Sequence, residues 1–167
     1  TRQQVLRFYN LAREIIADQE IDEGAEPELI DRWMESQLQR RIIETTEALE
    51  SIQTRRAVQS AFYHVINDLR WYQRRGGKNR LKSVLDVWVR LMAPFTPHVC
   101  EEIWEEMAGE GIGVFGKDRY ISRARWPEAD PEKIDSEAEM AEDLLERTLS
   151  DVEEIISNPE IDIVIEL

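Results

Sequence analysis

Apolar residues recur at three- and four-residue intervals through most of the chain, the spacing that gathers side chains on one face of an α-helix. Val5, Phe8, Leu11, Ile15 and Ile16 predict a first helix over residues 2–20, opened by a capping box from Thr1 to Gln4. DEGAEPE interrupts the pattern, and Pro27 suits the first turn of a second helix, where its missing N–H has no partner to lose. Ile30, Met34, Leu38, Ile42, Thr45, Leu49 and Ile52 form that helix's stripe, with Trp33 beside it, to about Ser51. A third helix runs from Thr54 to Arg75. Val58, Phe62, Val65, Leu69 and Tyr72 share its apolar face, and Arg56, Tyr63, Asn67, Trp71 and Arg74 lie roughly opposite. Gly76 and Gly77 end it through a residue at positive φ. Leu81, Val84, Leu85, Trp88 and Leu91, widened by Val87 and Val89, make a fourth helix that Pro94 stops. Thr96 as N-cap and Pro97 as first helical residue open a fifth, to about Met107.

The character then changes. AGEGIGVFGKDRYISRARWPEADP predicts a glycine-rich excursion over about 108–130, with short strands around Tyr120 to Arg123. Ser136 and Glu139 form a second capping box, opening an acidic helix through Met140, Leu144, Leu145, Leu149, Val152 and Ile156 that Asn158 and Pro159 end. In the tail, Ile161, Ile163, Ile165 and Leu167 alternate as a strand does, and its pairing partners are expected beyond residue 167. The expected fold is all-α: a bundle of about five to six helices with the excursion and a short C-terminal strand. Residues 1–157 form the helical domain and 158–167 the truncated start of a following one.

A chain of 167 residues hides roughly 70% of its unfolded surface on folding, enough for a real core. The 34% of charged residues with only seven Gly and six Pro argues against disorder. Cys100 is the sole cysteine, so no internal disulfide forms, and no apolar run nears the roughly 18 residues of a membrane helix. Thr1 begins no signal peptide, and a cytoplasmic location is expected.

Charge alters the picture more. The net charge is -14, yet residues 1–100 carry 15 Lys/Arg against 14 Asp/Glu, and residues 101–167 carry 6 against 21. Within DLRWYQRRGGKNRLK, from Asp68, no acid follows that aspartate while Arg70, Arg74, Arg75, Lys78, Arg80 and Lys82 accumulate. Such a patch attracts phosphate, and Trp71 adds a ring on which a base can stack. The same residues admit a second reading, in which the arginines pair with the acidic C-terminal helix and Trp71 packs against a neighbouring helix.

Other chemistry is weaker. GIGVFG at 111–116 satisfies G-x-G-x-x-G, but it follows an acidic helix where a dinucleotide site needs a strand, and Lys117 does not make it a phosphate loop. His98 and Cys100 point roughly 200° apart on a helix and cannot share an ion. Cys100 falls with Ile103, Trp104 and Met107 on a core face, and His64 suits an inter-helix hydrogen bond. Glu101, Glu102, Glu105 and Glu106 read as a solvated face. No nucleophile has a matched base, so no catalytic residue and no metal site are assigned.

Several stretches together resemble the helical anticodon-binding domain of class I aminoacyl-tRNA synthetases: DRW at 31–33, NDLRWY at 67–72, LMAPFTPHVCEEIW at 91–104, and the pair Trp126 and Pro127. Within that group, RFYNLAREI at 7–15 and RRAVQSAFYHVINDLRWYQRR at 55–75 are similar to the leucyl-type branch of archaea and eukaryotes; isoleucyl- and valyl-type members share the general block. The resemblance implies a parent ligase that joins leucine to tRNA(Leu) with ATP and Mg. It also implies catalytic, editing and C-terminal domains elsewhere in that parent. Neither ATP-binding signature of the group, HIGH-like or KMSKS-like, occurs here, so the segment is expected to be non-catalytic and without a cofactor of its own. The implied partner is tRNA, supported by its body, with Arg70, Trp71, Arg74, Arg75, Lys78, Arg80 and Lys82 as expected contacts. A purely structural bracing module is the rival.

Overall fold

The computed structural model describes residues 1–113 and 119–160. Among these the elements are α1 (Arg2–Ala17), α2 (Leu29–Glu50), α3 (Thr54–Val58), a π-helical segment (Gln59–His64), α4 (Val65–Arg74), α5 (Leu81–Met92), α6 (Pro97–Gly109) and α7 (Ser136–Ser157). Because α3, the π segment and α4 run on as one rod, the chain folds as six helical rods with no strand among the described residues, matching the all-α expectation. The tail strand expected at 161–167, and residues 114–118 of the glycine loop, lie outside the described residues.

Trp88, Tyr72, Phe8, Met34, Leu69, Leu85, Leu91, Ile103 and Met107 are fully enclosed at the centre. Helix α1 packs on α5 and α6, and α2 packs on the α3–α4 rod, α5 and α7. Phe8 meets Trp88 edge to face at 4.7 Å, the geometry their ring quadrupoles favour. The Trp88 indole N–H donates to the Ala61 carbonyl at 2.8 Å, inside the π segment, so this buried donor is satisfied.

Polar residues on α2 fasten the chain that returns from the excursion. The Trp126 indole donates to Thr46 at 2.8 Å, the Asp130 amide to Gln39 at 2.8 Å, and the Asp135 amide to the Ser36 hydroxyl at 2.9 Å. Descending numbers on α2 meet ascending numbers on the return segment, so it runs antiparallel to α2 and delivers α7 to the bundle's side.

Several local expectations change. Thr1 makes no side-chain cap; its carbonyl accepts from the Gln4 and Val5 amides instead. Pro27 lies outside α2, because Glu28 and Asp31 cap the helix reciprocally and set its start at Leu29. Ile52 leaves the stripe: it is 88% exposed at φ 58, where the chain reverses into α3. The strands expected around Tyr120 to Arg123 are a 3-10 turn, Ile121–Arg123, because the Glu101 carboxylate accepts from the Ile121 and Ser122 amides at 3.0 and 3.1 Å. Asp135, not Ser136, is the N-cap of α7, accepting from the Ala138 amide at 2.9 Å. Glu139 turns to α2 instead of back to its own helix start, accepting from Ser36 and from two nitrogens of Arg40.

Candidate nucleic-acid interface

The basic stretch occupies the end of α4, the link 75–80 and the start of α5. Its shape depends on Tyr72 and the two glycines. Gly76 has φ 81, the left-handed conformation that ends a helix without strain only at glycine. Gly77 matters for a different reason: a Cβ there would lie 2.2 Å from the Tyr72 ring, so the link closes directly over the aromatic face. The Tyr72 hydroxyl donates to Asp31 at 2.5 Å and accepts from the Arg80 amide at 3.1 Å. Burial, reinforced by the Asp31 bond, pushes this phenol well above its ordinary value, so it stays a donor.

The cations then divide. Arg80 donates to the carbonyls of Glu23 and Ala25, both at 2.9 Å, while its Nε lies 3.7 Å from Glu35. Asn79 accepts from the Asp22 amide at 3.0 Å, and the Lys78 ammonium lies 3.8 Å from Glu20. These three residues staple the α1–α2 connection. Arg75 donates twice to Glu142, at 2.9 and 3.3 Å, and Glu142, on the inward face of α7, is 1% exposed. Trp71 is buried, and its indole donates to the same carboxylate at 3.2 Å. Arg74 reaches Glu153 at 2.5 Å and sits 5.8 Å from the Trp71 ring centroid. Lys82 is half-buried in a groove with Glu35, Asp86, Glu128 and Asp130.

Arg70 differs. It is exposed in a groove of about 450 Å³ between α1 and α4, beside Arg7, Asn10, Gln73 and Glu14, with no ionic partner among the described residues. Of the two readings the basic stretch admits, the geometry at Trp71, Arg74 and Arg75 is that of helix pairing with α7. At Arg70 the guanidinium is open to solvent.

Residues the sequence pattern passed over hold the basic stretch and the helices around it in place. Glu142 lies in phase with Ala138, Leu145 and Leu149, the stripe that α7 turns inward, so an acid on that stripe was its signal. Asp31 caps α2 and anchors Tyr72 at once. Arg41 grips Asp68 with two bonds, 2.6 and 3.1 Å, between α2 and α4; nothing in their spacing marks the pair, 27 residues apart. Cys100 is buried with Ile103, Trp104 and Met107, and burial pushes its thiol up to about 12. His64 meets Glu44 at 3.4 Å across the helices. Among the described residues no group of three or more His, Cys, Asp or Glu could hold a metal ion, and no helix is long and apolar enough to cross a membrane.

A family model described as the anticodon-binding domain of tRNA ligase matches residues 31–163. The chain belongs to the anticodon-binding domain family of tRNA ligases. Among family relatives, it is 65% identical over 156 residues to the leucine–tRNA ligase of Methanothrix thermoacetophila, covering 93% of this chain and 16% of that protein. It is 51% identical over 156 residues to that of Methanosarcina acetivorans, and 44% over 162 residues to that of Pyrococcus abyssi. The chain thus spans about one-sixth of the length of these curated relatives. The same family fold recurs in the ternary LeuRS–tRNA–LeuAMS complex of Agrobacterium radiobacter K84, at TM-score 0.59 and 23% identity over 80% of this chain and 16% of that one. At that identity the likeness is one of fold.

Proposed function

We propose that this chain is the helical tRNA-supporting domain of a leucine–tRNA ligase. In that reading it holds the body of tRNA(Leu) while domains elsewhere in a longer cytoplasmic polypeptide join leucine to it with ATP and Mg. The observation that carries the proposal is the 65% identity to a leucine–tRNA ligase across 93% of the chain. The segment supplies no catalytic group. In the basic stretch, Arg70 is the cation offered to phosphate, and Trp71, Arg74, Arg75, Lys78, Arg80 and Lys82 shape the surface or add secondary charge.

The test uses the full-length protein that contains this chain. Aminoacylation assays with leucine, isoleucine and valine on their matched tRNAs should give leucyl-tRNA alone; charging with another amino acid overturns the assignment. In tRNA(Leu) binding at graded salt, Arg70→Glu should weaken affinity several-fold and reduce the log-log slope by about 1, one phosphate contact fewer. A slope and affinity equal to wild type would remove Arg70 from the interface. The bracing alternative draws on buried Trp71 and its bond to Glu142, and predicts that result.

A further inference from the structure

The outer face of the α3–α4 rod is basic and polar on a molecule of strongly acidic net charge. Arg56, Gln59, Tyr63, Asn67, Arg70 and Arg74 follow one another at three- and four-residue steps, and all six are exposed. From Ser51 to Leu85 the chain contains a single acid, Asp68, and that carboxylate is buried in the two-bond pair with Arg41. The stripe therefore presents no carboxylate of its own, on a protein of net charge -14.

Its upper end is built like a platform. Thr54, Arg55, Val58, Gln59 and Tyr63 line an open depression of about 600 Å³. Tyr63 is 47% exposed, and its ring stands edge to face on buried Phe62 at 4.9 Å and 82°. An aromatic ring so buttressed loses little freedom when a second ring stacks on it. The π segment carries Phe62 inward and Tyr63 outward at adjacent positions; such segments recur at functional sites. Arg55 has no partner among the described residues, and Arg56 bonds only the neutral Gln53, at 3.3 Å. Ile52, two residues before the depression, sits at φ 58, an outlier for a β-branched residue left in solvent.

We infer that this face is an RNA-docking surface: Arg55 and Arg56 at one end and Arg70 at the other take backbone phosphates, and one unpaired base stacks on Tyr63. The two ends are 14 residues apart, roughly 21 Å along a helix, so a single duplex-sized RNA element spans both. Arg55, Arg56 and Arg70 bond no carboxylate among the described residues, while Arg74 at the far end is held by Glu153; three such cations with an aromatic ring among them match an RNA loop and not an acidic peptide, which has no base to stack. The inference rests on the tRNA-ligase reading and moves most of the contact from the 75–82 link onto the length of the rod.

The experiment is equilibrium binding of a tRNA(Leu) transcript to the full-length protein at graded salt. Arg55→Glu/Arg56→Glu should lower affinity about tenfold or more and flatten the log-log slope by about 2. Tyr63→Ala should lower affinity about fivefold or more with the slope unchanged, and Tyr63→Phe should restore it, because stacking needs the ring and not the hydroxyl. Arg147→Glu on α7 serves as a charge-reversal control, reversing one charge where the double variant reverses two, and should bind like wild type. These positions are exposed, and matched helical circular dichroism verifies the fold. If wild type binds but the 55/56 and Tyr63 variants match it, the docking surface is overturned while the ligase reading stands. If wild type fails to bind tRNA, both fall.

Discussion

Tyr72 shows how one side chain sets the local geometry of the candidate site. Fully buried, it joins the cap of α2 through Asp31, the start of α5 through the Arg80 amide, and the α4–α5 link through Gly77. The two adjacent glycines answer to different constraints. Gly76→Ala meets no neighbour and strains only the left-handed backbone, a cost of about 1 kcal/mol. Gly77→Ala drives a methyl into a ring pinned by two hydrogen bonds, and should cost about 2–3 kcal/mol. Urea unfolding of both variants checks this; equal midpoints would mean that the Tyr72 ring moves aside freely. The sequence announces that a helix ends at this pair. It does not announce that the second glycine is a contact, because the ring that excludes Cβ is placed by Asp31, 41 residues away.

At the scale of elements, α7 is attached by charge more than by apolar burial. Its inward stripe is Ala138, Glu142, Leu145 and Leu149, whereas Met140 and Leu144, expected inside, are 73% and 68% exposed. Four carboxylates hold it: Asp135 to Arg32, Glu139 to Arg40, Glu142 to Arg75 and Glu153 to Arg74. The Arg40 bond holds the Glu139 carboxyl below its ordinary value of 4.5, against the opposing effect of partial burial. A depressed acid stabilises the fold above its unfolded pKa, and that contribution is lost as pH falls through the folded value. Glu139→Gln should therefore cost about 1 kcal/mol at pH 7, and the difference from wild type should vanish at an acid pH below the folded value, where the carboxyl is protonated in both states. Paired urea titrations at the two pH values measure it; a difference that persists in acid would mean that the bond to Arg40 is not the cause. Helical spacing predicts that α7 exists and where it stops. Which face turns inward was ambiguous, since its apolar residues form two partial stripes and the decision went to the one bearing Glu142, for which Arg75 and Trp71 supply partners.

Over the whole molecule, α7 sets Asp135 and Glu139 against Arg32 and Arg40 on α2, and Glu142 and Glu153 against Arg75 and Arg74 at the end of α4, so acids of the C-terminal part face cations of a first hundred residues that are nearly neutral in sum; the net charge stays at -14. Rigidity should follow burial. Amide exchange is expected to be slowest in α2, α4 and α5, which supply Met34, Leu69, Tyr72, Leu85, Trp88 and Leu91 to the centre. It should be fastest over 150–157, where every residue is exposed. Mass-resolved exchange reads both, and slow exchange over 150–157 would mean that this end of α7 is covered in solution.

What the sequence by itself determined was the all-α class, the helices with their approximate ends, and the family. Each follows from spacing or short motifs, and these act between residues a few positions apart. What only the tertiary structure decided was the use of the charges. Whether a given arginine meets water, a carbonyl or a carboxylate depends on which helix lies across from it, and the Coulomb energy that settles the matter turns on distances of a few ångströms between residues up to 103 positions apart, as with Arg32 and Asp135.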